Sequence, residues 1–181
     1  MWKYTEVLMD HFMNPRNVGT LEDPDGHSEV GSPKCGDAMN LDIEIDEDDR
    51  ISDIRFRTFG CAGAIASASA LTEMVKGLPV EEALKVKNSQ IAGFLGGMPP
   101  EKYHCSVMGQ QALQAAVDDF RKKRDLVQAA VEEVLPGLEG LEVLKVHARW
   151  VKVRGGVREG ESLERLLKEK TGRAIGVKRV Q

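Results

Sequence analysis

Between residues 38 and 46 the chain alternates cleanly, with Met39, Leu41, Ile43 and Ile45 on one side and Asn40, Asp42, Glu44 and Asp46 on the other. An acidic turn, Glu47-Asp48-Asp49, follows, and Ile54, Phe56 and Thr58 then alternate with Asp53, Arg55 and Arg57. Two period-2 runs joined by a polar turn predict an antiparallel hairpin with one wet face. Upstream, residues 2–13 put Tyr4, Val7, Leu8 and Phe12 at helical spacing, and Asn14-Pro15 stops that helix. A loop rich in Gly, Asp and Pro runs on through Gly26. Phe59-Gly60-Cys61 ends the second strand, and residues 62–76 read as a helix closed by Gly77 and followed by Pro79. Short helices are expected over 80–86 and 88–95, then a non-helical connector, Gly96-Gly97-Met98-Pro99-Pro100. From Cys105 onward, Leu113, Ala116, Val117 and Phe120 mark a long amphipathic helix. It is expected to end in Arg121-Lys122-Lys123-Arg124, where cations suit a helix C-terminus.

The rest repeats this cycle on a smaller scale. Residues 126–135 look helical and Pro136-Gly137 breaks them; 141–146 and 149–153 read as strands, 163–171 as a helix and 174–180 as a last strand. The elements read from the pattern thus mix α and β: an antiparallel hairpin among helices over residues 1–125, and a smaller run of helix, two strands, helix and strand, without cysteines, over 126–181.

Charge sharpens that division. Residues 1–125 carry 14 Lys/Arg against 21 Asp/Glu, residues 126–181 carry 11 against 8, and the whole chain is −4. An acidic main body argues against nucleic acid as the primary ligand, because phosphate recognition needs clustered cations. The longest apolar run, around residues 61–71, is mostly Ala, Gly and Ser, and no stretch is long enough to cross a bilayer. The N-terminus lacks the apolar core of a signal peptide. A cytoplasmic protein with no membrane partner is the expectation.

Three cysteines, Cys35, Cys61 and Cys105, stand 26 and then 44 residues apart. An odd, wide set does not read as a secreted disulfide framework. Cys61 lies at a strand-to-helix junction and Cys105 opens a helix, positions whose unpaired N–H groups favour a thiolate. Cys35 lies in Lys34-Cys35-Gly36-Asp37, where the glycine lets the backbone approach a bound ion closely. With Asp37 or His104 as a fourth donor, three thiolates make a tetrahedral site for zinc or for iron in a cluster. Spacing alone leaves another reading open: there is no Cys-x-x-Cys, and isolated cysteines are more often core filler.

Five strings occur in order: Asn14-Pro15-Arg16-Asn17-Val18-Gly19, Lys34-Cys35-Gly36-Asp37, Thr58-Phe59-Gly60-Cys61-Ala62, Ala64-Ile65-Ala66-Ser67 and Pro99-Pro100-Glu101-Lys102-Tyr103-His104-Cys105-Ser106. Over roughly residues 1–125 the chain closely resembles the IscU family and the N-terminal domain of NifU, the iron–sulfur cluster assembly scaffolds. The resemblance implies an IscU-like α+β fold, with Cys35, Cys61 and Cys105 as cluster cysteines. It implies Asp37 as the aspartate that makes the cluster labile and His104 as an alternative ligand. Lys102 matches a lysine beside the site, and Tyr4 an N-terminal tyrosine associated with scaffold pairing and sulfur transfer; as a core aromatic of the first helix Tyr4 has a competing role.

The partners implied are a cysteine desulfurase that delivers sulfur as persulfide, iron and electron donors, and carrier or apo-protein acceptors of a [2Fe–2S] cluster. Zinc often fills the empty site in this family. Glu101 stands where the IscU branch has an apolar residue in its recognition segment for an Hsp70-type chaperone, which argues against that partnership here. The tail weakly resembles a C-terminal Nfu module, but Gly155–Ser162 replaces its Cys-x-x-Cys. A cluster scaffold rather than an enzyme is the expected function. The alternative is a zinc-binding structural or regulatory protein using the same cysteines.

Overall fold

Alternation becomes burial in the central hairpin. In the computed structural model, which describes residues 4–32, 37–155 and 157–180 (side chains at 32, 104, 105 and 157–161 excepted), β2 spans Asp37–Ile45 and β3 spans Ile51–Phe59. Met39, Leu41, Ile43, Ile54 and Phe56 are buried, as the period-2 pattern requires. The register sets Leu41 opposite Phe56 and Ile43 opposite Ile54, with an irregularity between Glu44 and Ile45.

Just past the loop expected through Gly26, in a stretch with no predicted element, lies a third strand, β1 (Gly26–Ser32), antiparallel to β2 and giving the sheet order β1-β2-β3. Its sequence, Gly-His-Ser-Glu-Val-Gly-Ser, has one strong strand former, so local preference gave no sign of it. Tertiary contact supplies the reason for Gly26. A Cβ there would lie 2.1 Å from the Ala116 carbonyl oxygen, so the strand can lie this close to a neighbouring helix backbone only as glycine.

Helix α1 (Glu6–Met13) is capped by Thr5, whose side chain accepts the Leu8 N–H. Helix α2 (Ala62–Val75) is buried on most of its circumference through Gly63, Ala64, Ala66, Ser67, Ala68, Ser69 and Ala70. Small residues let α1 and β3 approach it closely. Each buried hydroxyl finds a partner. Ser69 Oγ accepts the Arg16 N–H (2.9 Å) and pairs with His11 Nδ1 (2.8 Å), while Thr72 Oγ1 donates to the Ser69 carbonyl (2.8 Å). Short helices α3 (Val80–Ala83) and α4 (Asn88–Phe94) lead to the Gly-Gly-Met-Pro-Pro connector, which enters a 3-10 turn over Pro100–Lys102.

The expected break after Arg124 is absent. Helix α5 runs unbroken from Tyr103 to Val134. Neither Gly nor Pro separates Arg124 from Leu126, so a cluster of cations alone does not stop a helix. The true stop is the turn at Leu135–Gly137, where Pro136 intervenes.

The chain forms two compact units, Met1–Asp119 and Phe120–Gln181, with the division falling inside α5. In the second, β4 (Glu142–Val146) and β5 (Trp150–Arg154) pair antiparallel, and α6 (Val157–Thr171) carries the chain across to β6 (Gly176–Val180), parallel to β5. Val127, Val131, Val151, Val153, Leu163, Leu167 and Ile175 form its core. Helix α6 starts earlier than the apolar spacing suggested, at Val157 rather than near Leu163.

Candidate functional site

The site is built where β2 begins and β3 ends. Ala38 pairs with Phe59 in the ladder, so Asp37 stands beside Gly60, the residue before Cys61. Asp37 is 7% exposed. A Cβ placed on Gly60 would lie 2.9 Å from the Asp37 Cγ, 3.0 Å from its Oδ1 and 3.0 Å from the Ala64 Cβ. The carboxyl group therefore occupies space that any side chain at position 60 would fill. Thr58 Oγ1 donates to the Ala38 carbonyl (2.7 Å) and ties the two strand ends together.

Cys61 is the N-cap of α2, with extended backbone, and its side chain makes no capping hydrogen bond to the helix. Its carbonyl accepts the N–H groups of Ala64 (2.9 Å) and Ile65 (3.1 Å), so the helix starts there without using the thiol. The thiol is half-buried and stands at the positive end of the helix dipole. Phe59, 81% exposed, flanks this corner.

Of the other residues picked from the sequence, Cys35 lies outside the described residues, as do the side chains of His104 and Cys105. Their backbone belongs to the first turn of α5. That helix is anchored from several directions. Ser28 Oγ donates to the Ala112 carbonyl (2.8 Å), and a Cβ at Gly109 would be 3.2 Å from Leu71 Cδ2 on α2. Lys102, half-buried, closes the preceding 3-10 turn, its N–H bonding the Pro99 carbonyl (2.8 Å). Tyr4, half-buried, directly precedes the α1 N-cap.

Geometry thus joins Asp37 to the Cys61 corner. Among the described residues no group of three or more His, Cys, Asp or Glu side chains is gathered that could hold a metal ion. Cys61 contributes a half-buried sulfur and Asp37, seated against the preceding Gly60, a sequestered oxygen, donor types that iron and zinc both accept. Thr5, Ser28, Ser69 and His11 have structural roles here and were not singled out from the sequence. Thr5 carried a readable signal, a Thr just before a helix, but its second hydrogen bond is tertiary.

His11 is 3% exposed, with Nδ1 on Ser69 and Nε2 3.6 Å from a Glu73 carboxylate oxygen. Burial, reinforced by the Arg16 charge, pushes its pKa below the usual 6.5, against the opposing pull of Glu73 and Asp10. This group locks α1 to α2 in neutral form. In the second unit a groove of about 460 Å³ is lined by Glu164, Arg165, Lys168, Ala174, Ile175 and Gly176, and its Glu164 accepts the Val177 N–H (3.0 Å). No described helix is long and apolar enough to cross a membrane.

A three-stranded antiparallel sheet packed on helices is a fold that the first unit shares with solved structures. A putative iron–sulfur cluster assembly scaffold protein for the SUF system from Fervidobacterium islandicum superposes with a TM-score of 0.54 at 24% identity, covering 63% of this chain and 96% of that one. Residues 3–127 match the model of the NifU-like N terminal domain, and the chain belongs to that family. The nitrogen fixation protein NifU of Trichormus azollae is 53% identical over 128 residues, covering 67% of this chain and 43% of its own length. The chain therefore spans less than half the length of that NifU relative. The iron–sulfur cluster assembly scaffold protein IscU of Aquifex aeolicus is 48% identical over 130 residues, covering 71% of this chain and 83% of its own length.

Proposed function

We propose that the chain is a scaffold on which a labile iron–sulfur cluster, [2Fe–2S] in type, is assembled and then passed to acceptor proteins. The observation that carries this reading is the Asp37 carboxyl group seated against Gly60, one residue before Cys61. Cys35, Cys61 and Cys105 hold iron as thiolates. Asp37, and His104 as an alternative, supply the harder ligand that weakens retention and favours release. The cluster is cargo rather than a resident cofactor, and the chain itself turns over no substrate. A cysteine desulfurase supplies the sulfur, and separate donors supply iron and electrons. Lys102 and Tyr4 assist at the edge of the site. The setting is cytoplasmic, and residues 126–181, an Nfu-like module without its cysteine pair, serve as a docking surface.

The test is anaerobic reconstitution of the full chain with iron and sulfide, or with a desulfurase and cysteine, followed by ultraviolet–visible absorption on wild type and Cys61→Ser. Oxygen-sensitive colour in wild type and its loss in Cys61→Ser are expected. Colourless, tightly held zinc whose removal unfolds the chain would instead establish the structural metal reading and refute the scaffold.

A further inference from the structure

The Leu95–Pro100 segment is clamped at two points by hydroxyl groups from different helices. At its start, Thr5 Oγ1 donates to the Leu95 carbonyl while accepting the Leu8 N–H at 3.0 Å. Farther along, Ser67 Oγ of α2 lies 3.5 Å from the Met98 sulfur, both side chains being buried. Between the clamps stand Gly96 (φ +74°) and Gly97 (φ +109°), two pivots in backbone conformations that side chains rarely adopt. The Thr5 side chain also packs on the first pivot: a Cβ on Gly96 would lie 3.3 Å from Thr5 Cγ2. The Gly96 and Gly97 N–H groups bond back to the Gly93 (2.9 Å) and Ala92 (2.8 Å) carbonyls of α4, so the Thr5 and Ser67 contacts are what tie the segment to other helices; it leads within a few residues to Lys102 and to the first turn of α5.

We infer that Thr5 is a positioning residue for the proposed site: its hydroxyl fixes the connector and, through it, the backbone that presents Lys102, His104 and Cys105. The inference rests on the scaffold reading for its functional meaning, though not for its test. Thr5 does two separable things with one oxygen. As acceptor it caps α1; as donor it holds Leu95. The Leu95 carbonyl is one of those at the C-terminus of α4, which the helix leaves without an internal partner. Tyr4, adjacent to Thr5, is thereby tied to the connector through the backbone.

Substitutions separate the two roles. Ser keeps donor and acceptor, Asp keeps an acceptor that caps well but has no proton to donate, and Ala keeps neither. The readouts, taken on the metal-free full chain, are amide hydrogen exchange over residues 96–105 and the alkylation rate of Cys105 relative to Cys61. Thr5→Asp and Thr5→Ala should each speed connector exchange and shift the alkylation ratio about fivefold, the factor corresponding to one net hydrogen bond. Thr5→Ser should match wild type, and α1 amides should lose protection only in Thr5→Ala. Wild-type behaviour of the connector in Thr5→Asp would overturn the inference. So would a Thr5→Ser variant as perturbed as Thr5→Ala. Neither readout needs a cluster, so a failed reconstitution would not be confused with a failed clamp.

Discussion

Gly60→Ala isolates the contact on which the site reading depends. The new methyl group would sit 2.9 Å from the Asp37 Cγ, 3.0 Å from its Oδ1 and 3.0 Å from the Ala64 Cβ. Gly60 is not among the glycines with positive φ, so alanine fits the backbone and the conflict is steric alone. Overpacking of this kind costs about 1–3 kcal/mol. Loss of glycine freedom in the unfolded chain offsets about 0.4–1 kcal/mol of it. A net destabilisation of about 1–2 kcal/mol follows. Two of the three close approaches involve Asp37, so truncating Asp37 to Ala should relieve most of the conflict. In a double-mutant cycle read by urea unfolding of the metal-free protein, Gly60→Ala should cost about 1 kcal/mol less in the Asp37→Ala background than in wild type. The approach to Ala64 remains in both backgrounds and cancels. Additivity within about 0.3–0.5 kcal/mol would refute the argument, because independent sites behave that way.

Asp37→Ala should leave a longer-lived cluster, since it removes the oxygen ligand that opens a route for exchange; equal or faster loss of visible absorbance under identical anaerobic conditions would sink that account. Stability should fall as pH drops through the usual histidine value and on toward the lowered folded value of His11. The folded pKa of His11 lies below 6.5, so the unfolded chain takes up the proton first and the neutral lock is lost as pH falls through the folded value. His11→Gln should flatten that dependence of Tm on pH, and an unchanged slope would assign it to other groups. Gly26→Ala brings a methyl 2.1 Å from a backbone oxygen that cannot swing aside; a loss of about 3 kcal/mol is expected, about 10 °C in Tm, and a neutral result would disprove the close approach of β1 and α5.

The sequence by itself determined the elements whose signals are local. Alternation over residues 38–58 specified the hairpin and its buried face, because a period of 2 admits no other assignment of sides. Gly77 and Pro79 ended α2, and the five motif strings carried the family. What only the tertiary structure decided are the pairings between segments distant in the chain. β1 is a strand because β2 offers an edge and Gly26 allows α5 to approach, neither of which Gly-His-Ser-Glu-Val-Gly-Ser encodes on its own. Helix α5 continues past Arg124 because its second half finds a separate core, Val127, Val131 and Val134 against β5 and α6. Asp37 meets the Cys61 corner only because the ladder sets Ala38 opposite Phe59. A residue's chemistry is written in the chain, but its neighbours are set by register and packing, which are sums over many contacts.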